Sequence, residues 1–118
     1  MASGTIKNLG FNNTYVKLGS ILINNQTTEL TISLSDSYKN YKFIYIVISY
    51  YDSGYPAYGC VLIPSSLGPL YGSESLRFYD IEHNSEIKIN FKSNTVMSVL
   101  STNYSATAHY HCCVFGIN

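Results

Sequence analysis

Apolar and polar residues alternate along most of the chain with a period of two, the pattern of a β-strand buried on one side. Clusters of Gly, Ser, Asn and Asp, which favour turns, separate the alternating segments. No segment shows the repeat of about 3.6 residues that marks an amphipathic helix. The pattern predicts strands at residues 15–23, 29–34, 42–51, 60–63, 75–81, 86–92, 95–100 and 106–117.

About eight or nine short strands in a chain of 118 residues are typical of an antiparallel β-sandwich, jelly-roll-like, or of a short barrel. The length suits one domain, residues 1–118, whose residues 1–14 are expected to form an extended N-terminal arm. Apolar residues make up 46% of the chain and charged residues only 12%, which disfavours intrinsic disorder. The sequence therefore predicts a single all-β domain.

The segment 42–51 differs from the other predicted strands because both of its faces are apolar. Two sets alternate along it, Phe43, Tyr45 and Val47 on one face and Ile44, Ile46 and Ile48 on the other. Since neither face suits water, this strand is expected to be central. Two explanations remain open: packed layers cover both faces, or one face is turned to another subunit.

The charges disfavour two classes of partner. Seven Lys and Arg balance seven Asp and Glu, and Arg77 is the single arginine. A chain without net positive charge has little attraction for the phosphates of nucleic acids and anionic membranes. The longest apolar run, residues 43–48, is far shorter than the roughly 18 residues that span a bilayer, and residues 1–7 lack a signal-peptide pattern. A soluble chain is expected, with no nucleic-acid partner and no membrane insertion.

The chain contains 12 Tyr and no Trp, and tyrosine is common on recognition surfaces because it offers a large amphipathic area at low entropic cost. Three cysteines cannot all pair within one chain, so reduced thiols are expected. Cys60 is interpreted as a small core residue of its strand. Cys112 and Cys113 are neighbours and should point to opposite faces of a strand.

Three short motifs carry a resemblance to a known family. They are the strand, Ser/Asp turn and apolar strand of Leu30–Ile46, the run Ile63-Pro64-Ser65, and the ending Phe115-Gly116-Ile117. Together they resemble the C-terminal head domains of bacteriophage tail-fibre and receptor-binding proteins. The segment Ala108–Cys113 departs from that pattern, which has apolar and Thr-type residues before its terminal motif.

The resemblance implies a non-enzymatic homotrimeric head at the tip of a tail fibre, assembled in the host cytoplasm and carried on the virion. Such a head recognises a carbohydrate or a protein on the bacterial surface during host adsorption, without a cofactor. Weak saccharide contacts gain strength when several copies are presented together. The alternative is a purely structural virion module, in which the tyrosines serve packing between subunits.

The candidate ligand-binding residues lie in a loop rich in tyrosine and in one later strand. They are Tyr51, Asp52, Tyr55, Tyr58 and Arg77. A tyrosine ring can stack on the C–H face of a sugar while the carboxylate of Asp52 accepts hydrogen bonds from its hydroxyls. The guanidinium of Arg77 suits an acidic group such as a phosphate decoration.

Two further sets of residues suggest other chemistry. His109 and His111 would share one face of the last strand, and imidazoles from several chains could bind a metal, although an exposed pair that binds nothing is the favoured interpretation. Asp80 and Glu82 could serve as the paired carboxylates of a small carbohydrate-active enzyme. The simpler expectation for them is a solvated hairpin end, and no catalytic residues are therefore assigned.

Overall fold

The computed structural model describes residues 3–6, 13–24, 28–50, 57–66, 76–81, 85–103 and 109–118. The strands within these ranges are β1 (Ser3–Ile6), β2 (Asn13–Asn24), β3 (Leu30–Ser33), β4 (Phe43–Tyr50), β5 (Ala57–Pro64), β6 (Leu76–Asp80), β7 (Ser85–Phe91), β8 (Val96–Asn103) and β9 (His109–Ile117). A short 3₁₀ helix, Tyr38–Asn40, lies between β3 and β4. No helix in the described part of the chain is long and apolar enough to cross a bilayer.

The strands form two antiparallel sheets that pack face to face. One sheet has the order β1-β2-β9-β4-β5 and the other has the order β3-β8-β7-β6. Pairing of β2 with β9 and of β3 with β8 joins strands that are far apart in the chain, whereas β1–β2, β4–β5, β6–β7 and β7–β8 are pairs of consecutive strands. The predicted β-sandwich is confirmed, and the sheets do not close into the barrel that was the other expectation.

The core lies between the two sheets and is built from alternate residues of their strands. Ile44, Ile46 and Ile48 of β4 are almost fully buried against residues of the second sheet, which include Ile87 and Ile89 of β7. Each strand contributes every second side chain to this layer because successive side chains point to opposite faces. Ile87 and Ile89 are 2% and 1% exposed, respectively.

β4 is an interior strand, paired with β9 on one side and with β5 on the other. The expectation that it is central is therefore confirmed. Its isoleucine face contacts the second sheet, whereas Phe43 points away from the core and remains 38% exposed. The second sheet therefore covers the isoleucine face of β4. Within the described part of the chain, no second layer covers the face that carries Phe43.

The beginning of β5 differs from the sequence prediction. The strand starts at Ala57, within the segment expected to be a loop, and continues through Pro64. Pairing with β4 shifts between Gly59 and Ala57, so Tyr58 is the extra residue of a β-bulge. Cys60 is exposed at this edge strand, and its assignment to the core was wrong because its side chain points outward beside Val47.

Tyr41 stands at a corner where the three motifs of the sequence meet. Its hydroxyl donates to a carboxylate oxygen of Asp36 at 3.1 Å. The hydroxyl of Ser65, after β5, donates to the carbonyl oxygen of Tyr41. A Cβ atom at Gly116 would lie 2.5 Å from the Tyr41 ring, so the ring packs directly on the glycine backbone. Burial and the hydrogen bond with Asp36 raise the pKa of Tyr41. These motif residues thus close one corner of the sandwich.

Candidate functional site

A cleft opens where the edge strand β5 of one sheet meets the edge strand β6 of the other. Its volume is about 310 Å³, and its lining residues are Ile48, Gly59, Arg77, Phe78, Tyr79, Asp80, Ile87 and Tyr110. Small-molecule sites in proteins span roughly 300–1,000 Å³, so this cleft has the size for one small chemical group. It combines a carboxylate, two phenols and a guanidinium with apolar walls.

The base of the cleft is a buried pair of polar side chains. The hydroxyl of Tyr110 on β9 donates to Oδ2 of Asp80 on β6 at 2.5 Å. Only 3% of Asp80 and none of Tyr110 is exposed to solvent. A short hydrogen bond to a carboxylate is stronger than one between neutral groups, so the pair also ties the two sheets together.

The aromatic wall of the cleft depends on a glycine. A Cβ atom at Gly59 would lie 2.9 Å from Cδ1 of the Phe78 ring, a distance too short for any other side chain to fit without movement. The absence of a side chain at position 59 lets the edges of β5 and β6 approach each other. Phe78 consequently stands against the backbone of β5 and forms one side of the cleft.

The rim of the cleft is exposed and carries charge. Arg77 Nη1 lies 3.8 Å from Glu86 Oε1, and Lys88 Nζ lies 3.5 Å from the same oxygen. Solvent-exposed ion pairs of this length stabilise a fold by little, because water screens them. Since Lys88 is the nearer partner of Glu86, the guanidinium of Arg77 can turn to a ligand at small cost. Tyr79, also at the rim, is 60% exposed.

A second surface of interest is the outer face, defined as the side chains of β2, β9, β4 and β5 that point away from the core. By strand register it comprises Tyr15, Lys17, Ser20, Leu22, Phe43, Tyr45, Val47, Ser49, Cys60, Leu62, Pro64, His111, Cys113, Phe115 and Ile117. Leu62 is 54% exposed and Leu22 is 43% exposed. This face is mainly apolar, and Lys17 is its one charged side chain among the described residues.

The outer face contains an aromatic depression. Its volume is about 380 Å³, and it is lined by Tyr15, Tyr45, Leu62, Phe115 and Ile117. The Phe115 ring centroid lies 6.2 Å from that of Tyr15 and 6.4 Å from that of Tyr45. A hydrogen bond with the Cys60 thiol, together with burial, raises the pKa of Tyr45. A depression with such walls fits an apolar group.

His111 and Cys113 lie side by side on the outer face of β9. The sulfur of Cys113 is 3.7 Å from Nδ1 of His111. Burial, and then the nearby charge of Lys17, lower the pKa of His111. Burial raises the pKa of Cys113 against the opposing effect of Lys17, and a raised pKa disfavours the reactive thiolate form. No three His, Cys, Asp or Glu side chains cluster as metal ligands within the described residues.

Cys112 points into the core, and burial, followed by its neighbour Cys113, raises its pKa to about 12. The two adjacent cysteines therefore point to opposite faces, as predicted. Cys112 is an inert structural thiol, since the thiolate is the reactive form.

The sequence-predicted site residues have different outcomes. Arg77 lies at the rim of the cleft. Tyr51, Asp52, Tyr55 and Glu82 lie outside the described residues, and for Tyr58 and His109 the structure describes only the backbone, in β5 and β9. Asp80 was expected at a solvated hairpin end and is instead buried against Tyr110.

Sequence reasoning missed Tyr110 as a site residue. The available signal was its position between His109 and His111, which places it on the face opposite to both. That alternation shows which side of β9 Tyr110 occupies, but it does not identify Asp80 as the partner.

Scans against protein-family models and against curated proteins find no match to this chain.

Proposed function

We propose that the chain is a non-enzymatic receptor-binding head of the tail-fibre type, which recognises a carbohydrate or protein on the bacterial surface. The observation that carries this proposal is the cleft between β5 and β6, which has the buried Asp80–Tyr110 pair at its base and two exposed residues of β6, Arg77 and Tyr79, at its rim. The homotrimer and the virion location implied by the resemblance are part of the proposal.

The chemistry of the cleft favours a hydroxyl-rich ligand. Arg77 at the rim offers donors to a ring oxygen, a hydroxyl or an acidic substituent, whereas Asp80 is buried and its carboxylate accepts the hydrogen bond of Tyr110. The exposed Tyr79 provides a ring face for the C–H surface of a sugar. Each contact is weak, and presentation of several copies on one fibre would raise the overall strength of binding.

Binding is a better explanation of the cleft than hydrolysis. Most glycoside hydrolases place two carboxyl groups about 5 to 9.5 Å apart around the bond that they cleave. Among the described residues that line the cleft, Asp80 is the one carboxylate, and it accepts a hydrogen bond from Tyr110. A binding pocket needs no second carboxylate.

The test compares binding of purified protein to immobilised bacterial envelope polysaccharides. Arg77→Ala should weaken binding about tenfold, the loss of one hydrogen-bonded charged contact, without lowering the melting temperature because the side chain is exposed. Lys88→Ala is the matched control, since it removes a positive charge that contacts the same Glu86 but does not line the cleft.

Equal binding by wild type and Arg77→Ala would contradict a role for the cleft. Release of reducing sugar by the wild type, lost in Asp80→Asn, would favour the enzyme over the binding head.

A purely structural virion module is a second candidate function. The exposed apolar outer face favours it, because such a face suits packing against other subunits. A structural module would assemble normally and bind no envelope polysaccharide in the comparison above.

A further inference from the structure

We infer that the outer face of the five-stranded sheet is the surface through which copies of this chain pack against one another. This inference deepens the self-association part of the proposed function by naming the interface. It stands on the exposure, charge and shape of the outer face, and it does not depend on the identity of any ligand.

The two sides of the sandwich have opposite character. The side formed by the four-stranded sheet carries charged residues on neighbouring strands, Arg77 on β6 and Glu86 and Lys88 on β7. The outer face instead exposes Leu62 and Leu22 to solvent to about half of their surface. An exposed apolar sheet face loses free energy to water, whereas a charged one is well solvated. One side of the molecule is therefore suited to water and the other to burial.

The size of the outer face can be compared with that of a protein interface. Four strands about 4.8 Å apart, each about eight residues long at roughly 3.4 Å per residue, cover about 500 Å² in projection. Side-chain relief increases the accessible area beyond this figure, and a stable interface buries about 800 Å² on each partner. The largest apolar patch on a typical monomer covers about 300 to 600 Å², so the area alone does not distinguish the outer face. That face supplies about two-thirds of the area that a specific association needs.

The features of the outer face favour an identical partner over a different one. Among the described residues it carries a single charge, Lys17, so it has no charged pattern that would select a partner of opposite charge. Exposed leucines and an aromatic depression occur on the same face, so the leucines of one copy can fill the depression of the next, in a two-fold pair or around a ring of three. We therefore assign the outer face to contacts with further copies of this chain.

The first test is the mass of the protein in solution by light scattering. The wild type should be a homo-oligomer, with a mass of about three times 13.2 kDa if three copies assemble as the resemblance implies. Leu62→Arg places a charge on the outer face, at an exposed position of an edge strand, and should give a folded monomer. Thr31→Arg introduces the same charge on the exposed side of β3, in the other sheet, and should leave the oligomer intact.

The native cysteines supply a second, independent measurement. Cys60 lies on the outer face and Cys112 lies in the core. In the assembled wild type, N-ethylmaleimide should label Cys60 slowly, whereas in Leu62→Arg the label should appear at Cys60 at least about tenfold faster. Cys112 should stay unlabelled in both proteins until they are unfolded, which shows that Leu62→Arg has kept its core.

A monomeric wild type would overturn the inference, as would an oligomer in which Leu62→Arg still assembles and Cys60 reacts equally fast in both proteins. An oligomer whose Cys60 is protected but that binds no polysaccharide would support the interface and contradict the ligand-binding part of the proposed function.

Discussion

At the scale of single residues, Tyr41 explains why three distant motifs occur in one sequence. The hydroxyl of Tyr41 contacts Asp36 in the first motif, its carbonyl accepts from Ser65 in the second, and its ring covers Gly116 in the third. These contacts need a carboxylate, a small hydroxyl residue and a glycine at those positions. The motifs that resemble tail-fibre heads are therefore residues of a structural corner, and the cleft residues lie elsewhere in the chain.

Gly116→Ala should destabilise this corner. The added Cβ atom would lie 2.5 to 2.7 Å from three carbon atoms of the Tyr41 ring, so the ring must move. We expect the free energy of unfolding in urea to fall by about 1–3 kcal/mol, the usual cost of overpacking. Combining Gly116→Ala with Tyr41→Ala removes the clash, so the effect of Gly116→Ala should be smaller in that background. The same effect in both backgrounds would contradict the contact.

At the scale of elements, alternation of apolar and polar residues identified eight strands, because a sheet covered on one side leaves a clear period of two. β1 was not predicted as a strand, and the start of β5 was missed because the turn-forming residues Gly54, Pro56 and Gly59 favour a loop there. The cleft was predictable only through Arg77. Asp80 and Tyr110 are 30 residues apart on strands of different sheets, and only the packing of the two sheets brings them together.

The two faces of β4 should respond differently to truncation. Ile46 is fully buried between the sheets, so Ile46→Ala should lower the free energy of unfolding by about 2–4 kcal/mol at any protein concentration. Val47 lies on the outer face, and Val47→Ala should cost less. Its cost should also grow with protein concentration, since assembly buries this side chain. Denaturation at several concentrations checks this, and concentration-independent values for Val47→Ala would contradict burial in an oligomer.

At the scale of the whole molecule, the proposed cleft and the proposed interface occupy different parts of the surface of the sandwich. The outer face of the five-stranded sheet is suited to other copies of the chain, and the cleft lies at the sheet edges, where assembly through that face leaves β6 accessible. With equal numbers of positive and negative charges, the chain has little long-range attraction for an ionic partner. In the proposed head, binding at each cleft is weak, and assembly would raise the overall strength of binding.

The most direct measurement is binding of the wild type and of Leu62→Arg to bacterial cells that display their envelope polysaccharides. The wild type should bind about one hundredfold or more tightly than the monomeric variant, because linked copies raise the effective concentration of each cleft. Both proteins should bind a soluble fragment of the same polysaccharide with equal affinity, since the cleft is unchanged. Equal binding of the two proteins to cells, or no binding by either, would contradict a head that assembles through its outer face in order to bind.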